Sequence, residues 1–561
     1  MKKYILTFIM SAIMLISCNE TSWLKEEPLD FLAPENAYTT TVQYRQALNF
    51  LYDNYRYFLW SSAEDFRVTL SCSDYAHGGY DFPDQKYNNF KGWITSESSY
   101  VQQLWTTCYN GIGNANMILS RLLDATEVSD DDKAIIRGET LFFRALYYRI
   151  LANMYGGVPI VTEPLNSPKL DFTRNARIEV YDQCRVDLEE ASSLLKNIEN
   201  TGDGYINKQA AQHLLAEVYI SLGEYQKAIG SASSVIDHQG MGLMTQRFGS
   251  RKDEPGDVYW DLFRANNQNR STSGNTESIW VLQYEYQNAG SSYSCQTLRQ
   301  IIPGYYSIVV ESNEPGKTVA AFTTWTAEKG GRGIGAVQPN PWFFNELWDD
   351  DNDIRNSDYN IIKDFRIDNP NAKGFGQWFV KDGWVQESHE IRLWYPFIQK
   401  FSRTGNFPAE AYAINADGTL KTTALGEHAL LNSNGLDRSS FKDEYGFRLA
   451  ETYLLRAEAY LGASQNDKAA EDINAVRARA NASAVSAGDI DIDFILDERM
   501  RELYSEEVRV FTLNRLGKMV ERTKKYNLTG YNIGDYQNIW PIPYGEIEKN
   551  TGAVLEQNPG Y

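Results

Sequence analysis

The sequence predicts a mainly α-helical protein, in which tetratricopeptide-like helical hairpins form a scaffold and a large, irregular, loop-rich lobe is inserted into it. Two features support this fold class. Over about 101–238 and 446–561, apolar residues recur at steps of three and four, the period of an amphipathic helix. Over about 240–445 that period is lost, and Gly, Asn, Ser and Asp become frequent between short strand-like runs.

The helical period places individual helices along the first scaffold segment. Three are predicted, and they span Val101 to Leu123, Ala134 to Met154 and Ile178 to Leu195. The stretch from Asn207 to Ile236 predicts two more, joined at Leu222-Gly223-Glu224, with Asn207 as the N-cap. Two helices joined by so short a turn form a hairpin.

A second hairpin is predicted from Phe447 to Ala480, and it repeats the pattern of the first. Adding 241 to the residue numbers of the first hairpin places small residues on small ones and large on large. The matched pairs are Ala216 with Ala457, Tyr219 with Tyr460, Ala228 with Ala469, and Val235 with Val476. This alternation is typical of tetratricopeptide units, whose period is about 34 residues. One further helix is predicted from Asp493 to Met519.

Tryptophan is concentrated in the irregular segment. Eight of the thirteen tryptophans lie there, and they are Trp260, Trp280, Trp325, Trp342, Trp348, Trp378, Trp384 and Trp394. A loop-rich region with so many large rings either packs them beneath its loops or presents some of them to a ligand. The segment from about 61 to 99 has the same composition and is predicted to be a second loop-rich insert.

The first residues have the pattern of an export signal. Met1-Lys2-Lys3 is basic, and Tyr4 to Ser17 is an apolar run too short for a permanent membrane span. The run ends at Leu15-Ile16-Ser17-Cys18, which resembles the lipobox of bacterial lipoproteins. We therefore predict that 1–17 is a lipoprotein signal peptide and that 18–561 forms one domain, anchored to membrane lipid through Cys18. An ordinary signal peptide with an incidental cysteine is the alternative.

The charge of the chain limits the classes of ligand. It has 54 Lys and Arg against 74 Asp and Glu, a formal net charge of −20. Such a field repels nucleic acid and anionic lipid, so no nucleic-acid partner is expected. The negative charge of the chain is more compatible with a neutral or cationic ligand than with an anionic one.

No cofactor or metal site is predicted. Cys72, Cys108, Cys184 and Cys295 are widely separated and form no CxxC motif, so one disulfide and four free thiols both remain open. The acidic run Asp349 to Asp353 lacks the Gly and Glu positions of an EF-hand calcium loop, which favours a solvated turn.

Several motifs, taken in order, resemble one known family. The early ones are Trp105 to Asn116, ETLFFRALYYRILANMYGGVPIV from Glu139, RIEVYDQCRVDLEEA from Arg177 and AAQHLLAEVYISLGEYQKAI from Ala210. The later ones are RLAETYLLRAEAYLG from Arg448, INAVRARA from Ile473, ILDERMRELYSEEVRVFTLNRLGKM from Ile495, WPIPYGEIEKN from Trp540 and QNPGY from Gln557. With the lipobox, this ordered set resembles the SusD/RagB family of outer-membrane nutrient-binding lipoproteins.

The resemblance implies a function that composition alone does not. It implies a non-catalytic, lipid-anchored protein on the cell-surface side of the outer membrane, which captures oligosaccharide or polysaccharide and delivers it to a SusC-like TonB-dependent transporter. It also implies four tetratricopeptide-like units and an irregular lobe that carries the ligand surface. Nearly all the matching motifs belong to the scaffold, so they identify the fold better than the ligand.

Two clusters combine aromatic rings with polar side chains, the mixture that a glycan surface needs for stacking and hydrogen bonding. The residues expected to bind the glycan are Asp74, Tyr75, His77 and Trp93 in the first cluster and Tyr293, Trp325 and Tyr395 in the second. For each single ring, packing in the core is the alternative. A lone histidine such as His77 is more often structural or solvated.

Two other functions remain as alternatives. A glycoside hydrolase needs two carboxyl groups roughly 5–9 Å apart across the sugar. The acidic residues Glu498, Glu502, Glu506 and Glu507 are predicted to share one helix with arginines, as in a salt-bridged scaffold, so no catalytic residue is expected. No HExxH, GxSxG or phosphate-loop motif is present either. The other alternative is a tetratricopeptide-type scaffold that binds a protein and no sugar.

Overall fold

The computed structural model describes residues 37–61, 72–79, 86–287, 295, 297–386, 390–401, 407–431 and 435–561. The predicted signal peptide and Cys18 lie outside these ranges. Within them, no helix combines the length and the apolar character that crossing a membrane requires. Cys72, Cys108, Cys184 and Cys295 are all buried and free, so the alternative of four thiols is the correct one.

Helices make up most of the regular structure. Among the described residues, those of eight residues or more are α1 (Thr41–Arg56), α2 (Ser99–Leu122), α3 (Asp130–Tyr155), α4 (Arg177–Leu194), α5 (Lys208–Ser221), α6 (Tyr225–Ile236), α7 (Leu449–Gly462), α8 (Asn466–Arg479), α9 (Ile492–Leu503), α10 (Arg509–Leu516) and α11 (Met519–Tyr526). Shorter helices are Phe90–Trp93, Val258–Leu262, Arg270–Ser273, Thr297–Ile301, Pro341–Asn345 and Tyr544–Lys549. Helix α1 was not predicted, whereas α2 to α8 confirm the helices expected from the apolar period.

Local sequence explains where these helices begin and end. The Asn207 side chain accepts a hydrogen bond from the backbone N–H of Ala210 at 2.9 Å, which confirms it as the N-cap of α5. Ser129 caps α3 in the same way, and three aspartates in the first turn suit the positive end of the helix dipole. Helix α3 ends at Tyr155 and is followed by Gly156, whose φ of 75° favours glycine.

The two predicted hairpins lie side by side. Helix α7 packs against both α5 and α6. The small residues matched by the 241-residue offset are all fully buried, and they are Ala216, Ala228, Val235, Ala457, Ala469 and Val476. The irregular segment therefore leaves the scaffold after α6 and returns at the neighbouring helix α7.

Short antiparallel strand pairs organise the irregular segment. Strands β2 (Ser278–Leu282) and β8 (Glu444–Arg448) pair with each other, so they join the two ends of the insertion beside the scaffold. The other strands are β1 (Ala76–Gly78) paired with β5 (Val337–Pro339), β3 (Val309–Glu311) with β4 (Thr318–Ala320), and β6 (Ile361–Ile362) with β7 (Phe397–Ile398).

The prediction of a single helix from Asp493 to Met519 is wrong. The chain forms α9, α10 and α11 instead, because it turns twice. The first turn contains Ser505 at a φ of 62°, a left-handed conformation that a serine does not signal in the sequence. The second turn uses Gly517 at a φ of 67°, which glycine adopts without strain.

A buried network of charged side chains joins the lobe to the scaffold. Arg355 from the lobe contacts Glu498 at 2.8 Å and Glu502 at 3.1 Å on α9. Arg448, at the end of β8, contacts Glu502 at 2.6 Å. We call this set the Glu502 network, and its members are Glu277, Asp353, Arg355, Lys400, Arg448, Arg477, Arg479, Glu498, Arg501, Glu502 and Glu506. Its charges are nearly balanced, as buried charges require.

Replacing Glu502 with Gln should destabilise the whole protein. The substitution preserves volume but leaves the arginines of the network without their central carboxylate. Breaking a buried ion pair in this way lowers the free energy of unfolding by on the order of 3 kcal/mol, measurable by urea unfolding followed by circular dichroism. The control is Glu314→Gln, which removes an exposed pair with Lys317 and should leave stability unchanged. Equal stability of both variants would contradict the prediction.

Candidate ligand-binding site

The residues of the first predicted cluster lie inside the fold. Asp74 is fully buried, and its carboxylate accepts hydrogen bonds from Arg509 at 2.6 Å and from Arg522 at 2.7 Å. Burial alone would raise the pKa of Asp74, but the two guanidinium groups lower it to about 2. Asp74 thus ties the segment 72–79 to α10 and α11, and the prediction that it binds a ligand does not fit this position.

Tyr75 and His77 are also buried. The His77 ring lies 2.9 Å from the side-chain oxygen of Asn340, and burial lowers the pKa of His77 to about 4. The Tyr75 ring packs edge-on against Tyr504, with ring centroids 4.9 Å apart. His77 lies in the buried strand β1, Tyr75 directly precedes it, and neither side chain is exposed to a ligand.

Trp93, the last predicted residue of the first cluster, is also buried rather than exposed to a ligand. Its indole N–H donates to the Tyr87 carbonyl at 3.1 Å, and its ring packs edge-on against Trp540 at a centroid distance of 5.6 Å. The ring is buried because the C-terminal segment covers it. The polar residues around Trp93 in the sequence gave no indication of that distant contact.

Replacing Asp74 with Asn should destabilise the fold in a pH-dependent way. The folded-state pKa of about 2 lies below the ordinary value of 3.8, so ionised Asp74 stabilises the fold above about pH 5. That stabilisation is lost as the pH falls from about 4 to about 2. At neutral pH the variant should lose about 2 kcal/mol of unfolding free energy, as measured by urea unfolding.

The difference in unfolding free energy between the wild type and Asp74→Asn should therefore become smaller at acidic pH. Asp358→Asn is the control, because the Asp358 side chain is 92% exposed, and it should unfold like the wild type at each pH. If the difference in unfolding free energy between the wild type and Asp74→Asn stays constant from neutral pH down to about pH 2, the assigned role of Asp74 is contradicted.

The three residues of the second cluster have different positions. Tyr293 lies outside the described residues. Tyr395 is buried, and its hydroxyl group lies 3.0 Å from the Ile301 carbonyl and 3.2 Å from the Val337 carbonyl, so its predicted role in binding does not fit. Trp325 is half-buried at the surface of the lobe, and it is the predicted residue whose position suits a ligand.

Trp325 stands in a group of aromatic and charged side chains. The Tyr306 ring meets it nearly edge-on, with centroids 5.3 Å apart. The Arg332 guanidinium carbon lies 4.8 Å from the centroid of the Trp325 ring. Arg332 also approaches the carboxylate of Asp437 at 3.9 Å. We define Tyr306, Trp325, Arg332 and Asp437 as the Trp325 site.

A glycine turn brings Arg332 and Asp437 together. Gly330 and Gly331 have φ values of 81° and 86°. A Cβ atom on Gly331 would lie 2.5 Å from the Asp437 carbonyl, so only glycine permits this approach. The Arg332 N–H then donates to the same carbonyl at 2.7 Å. The Gly-Gly-Arg-Gly sequence from Gly330 was the signal that could have identified Arg332.

The Trp325 site contains buried polar groups that form no hydrogen bond with any described residue. The Trp325 indole N–H and both carboxyl oxygens of Asp437 have no hydrogen-bond partner among the described residues. Such groups are uncommon in protein interiors. Burial raises the pKa of Asp437, although Arg332 and Arg438 act against that effect. A partly exposed ring beside a cation can stack on a polyhydroxylated ligand, and the guanidinium group can hydrogen-bond to it.

The four glutamates considered as catalytic residues of a hydrolase form ion pairs within the fold. Although burial alone would raise the pKa of Glu498, Glu502 and Glu506, neighbouring arginines hold each pKa below its usual range. Glu507 accepts a hydrogen bond from Arg499 at 2.9 Å. A general acid requires a raised pKa, so these groups are unsuited to that role.

A separate cavity of about 520 Å³ lies in the scaffold, between α2, the segment 159–172 and the C-terminal residues. Tyr109 lines it, but its hydroxyl group donates to the Pro159 carbonyl at 2.7 Å. Asn116 also bonds within the fold, donating to the Val161 carbonyl at 2.9 Å. These two polar side chains are therefore already engaged within the fold. In the described part of the chain, no group of three His, Cys, Asp or Glu side chains could hold a metal ion.

The fold defines a class of protein, a helical-hairpin scaffold with a large inserted lobe. A family model described as the SusD family matches residues 276–561. A second model, described as "Starch-binding associating with outer membrane", matches residues 32–220. The chain belongs to the SusD family, which confirms the resemblance and the predicted fold class.

Named relatives agree with this assignment. SusD-like protein P2 of Formosa agariphila is 24% identical over 591 residues, covering 100% of both chains. The starch-binding protein SusD of Bacteroides thetaiotaomicron is 37% identical over 122 residues, which are 20% of this chain and 21% of that protein. The structure of a laminarin-binding SusD-like protein has a TM-score of 0.66 at 22% identity and covers 93% of this chain and 100% of its own.

Proposed function

We propose that this chain is a non-catalytic glycan-binding protein of the outer membrane that uses the Trp325 site to bind oligosaccharide or polysaccharide. The observation that carries the proposal is the half-buried Trp325 ring with the Arg332 guanidinium 4.8 Å from its centroid and the Asp437 carboxylate nearby. The names of relatives that bind starch and laminarin support the same class of ligand.

The chemistry of the site favours a sugar over other ligands. The axial C–H faces of a sugar stack on an indole ring, and its hydroxyl groups need both donors and acceptors. Arg332 supplies donors, and the fully buried Asp437 carboxylate lies beneath it, 3.9 Å from its guanidinium group. A net charge of −20 also favours a neutral polymer over a polyanion.

Replacing Trp325 with Ala should weaken glycan binding. Affinity electrophoresis against a panel of plant, microbial and host polysaccharides first identifies a glycan that retards the wild type. Trp325→Ala should then reduce affinity roughly fivefold to tenfold, since a stacked ring contributes on the order of 1 kcal/mol.

Tyr531→Ala is the matched control, because Tyr531 is a 63% exposed ring in the C-terminal part of the scaffold. It should be retarded like the wild type. Absence of binding to every polysaccharide would overturn the proposed function, and unchanged binding by Trp325→Ala would overturn the assignment of the site. New reducing ends on the bound glycan would instead establish hydrolysis.

The proposal includes an anchor and a partner. Lipidated Cys18 would hold the protein at the outer membrane, and a SusC-like TonB-dependent transporter would receive the glycan. Affinity capture of the tagged protein from detergent-solubilised outer membranes of its own cells should recover a β-barrel of that class. Cys18→Ser should lose the lipid and leave the membrane fraction. Capture of the wild type without any β-barrel would contradict the partnership, and membrane retention of Cys18→Ser would contradict the anchor.

A further inference from the structure

A two-stranded ribbon in the lobe presents aromatic side chains outwards. The backbone N–H of Phe379 donates to the Phe365 carbonyl at 2.8 Å, and that of Ile367 donates to the Gln377 carbonyl at 2.9 Å. Phe365, Ile367 and Phe379 are buried. Because side chains alternate along a strand, the opposed pair between them faces the other side.

The outward pair is Arg366 and Trp378, which lie directly opposite each other across the ribbon. The Arg366 guanidinium carbon lies 5.0 Å from the centroid of the Trp378 ring. Trp378 is half-buried, so solvent reaches part of its ring. The ribbon therefore combines an accessible indole with a fixed group of hydrogen-bond donors.

A second indole lies flat against the same ribbon. A Cβ atom on Gly374 would stand 2.4 Å from Cε2 of Trp384, so the glycine lets the ring rest on the backbone. The indole N–H donates to the Gln377 side-chain oxygen at 2.7 Å, which fixes the orientation of the ring. Trp384 is half-buried, so solvent reaches part of its ring.

Side-chain hydrogen bonds hold the ribbon and its loop in place. The Asp364 carboxylate accepts from the backbone N–H groups of Val380 at 2.8 Å and Lys381 at 2.9 Å. The Asp382 carboxylate accepts from the backbone N–H of Trp378 at 2.8 Å. The two rings are thus presented on a rigid support, which reduces the entropy lost on binding.

The surroundings of these rings are apolar and electrically balanced. Phe375, Val380 and Val385 are exposed by 41%, 40% and 48%, an unusual grouping for a surface loop. The nearby cations Arg366 and Lys381 are matched by Asp364 and Asp382. The balance gives no attraction for a polyanion, whereas stacked rings beside polar side chains suit a neutral sugar chain.

We propose that Arg366, Phe375, Gln377, Trp378 and Trp384 form a second glycan-binding surface, the Trp384 platform, separate from the Trp325 site. This inference rests on the proposed function, since both surfaces would bind the same polymer. Two weak sites on one rigid lobe raise the affinity for a chain long enough to reach both, while a short oligosaccharide gains nothing.

The test compares a polysaccharide with a short oligosaccharide of the same sugar, both chosen for binding to the wild type. Trp384→Ala should lower the affinity for the polysaccharide roughly threefold to tenfold and leave oligosaccharide binding at the Trp325 site unchanged. Gly374→Ala should reproduce the loss without removing any aromatic ring, because its new methyl group displaces Trp384. Tyr531→Ala is again the control, and thermal unfolding checks that each variant folds.

Each outcome decides the inference. Loss of polysaccharide affinity in both Trp384→Ala and Gly374→Ala, with normal unfolding, supports the platform. Wild-type binding by both variants overturns the platform but leaves the Trp325 site and the proposed function intact. Absence of any glycan binding by the wild type overturns both proposals. If Trp384→Ala abolishes binding while Trp325→Ala does not, the platform is supported as the principal site and the Trp325 assignment fails.

Discussion

The arrangement of this protein depends on the Glu502 network. Burying so many charges is costly, and the cost is offset only when each guanidinium group meets its carboxylates at close range. Arg355 comes from the lobe, Arg448 from the strand that re-enters the scaffold, and Glu502 from α9. None of these segments can leave its charge unpaired, so the lobe and the scaffold are expected to fold as one unit.

That constraint explains how a long irregular segment can carry a precise surface. Loops without a core of their own are usually mobile, and binding then loses entropy in ordering them. Here β2 and β8 pair where the segment leaves and rejoins the helices, and the network fixes the segment at a second point. The Trp325 site and the ribbon that bears Trp384 are therefore attached to a rigid framework.

Most scaffold helices could be predicted because helix formation leaves patterns among residues that are close together in the sequence. The N-cap at Asn207 and the hairpin equivalence of Ala216 with Ala457 follow from short-range patterns, and the structure confirms both. The positions of the residues predicted to bind a ligand depend on contacts that local patterns do not contain. Asp74 is buried by Arg509, and Trp93 by Trp540, more than 400 residues further along the chain. A polar neighbourhood in sequence was therefore a poor guide to exposure in space.

Two tryptophans of the lobe show why some rings are buried in the core while others stay partly exposed at the surface. Trp280 is buried because aromatic rings from α1, α3 and β8 surround it, as the insertion joins the scaffold there. Trp384 instead rests on Gly374 and remains partly exposed. The amino-acid composition does not distinguish these two tryptophans. Whether each ring is buried or partly exposed depends on how many helices and strands pack against it. Stacking on a sugar requires a ring that is held rigidly and remains partly exposed, and Trp384 meets both conditions.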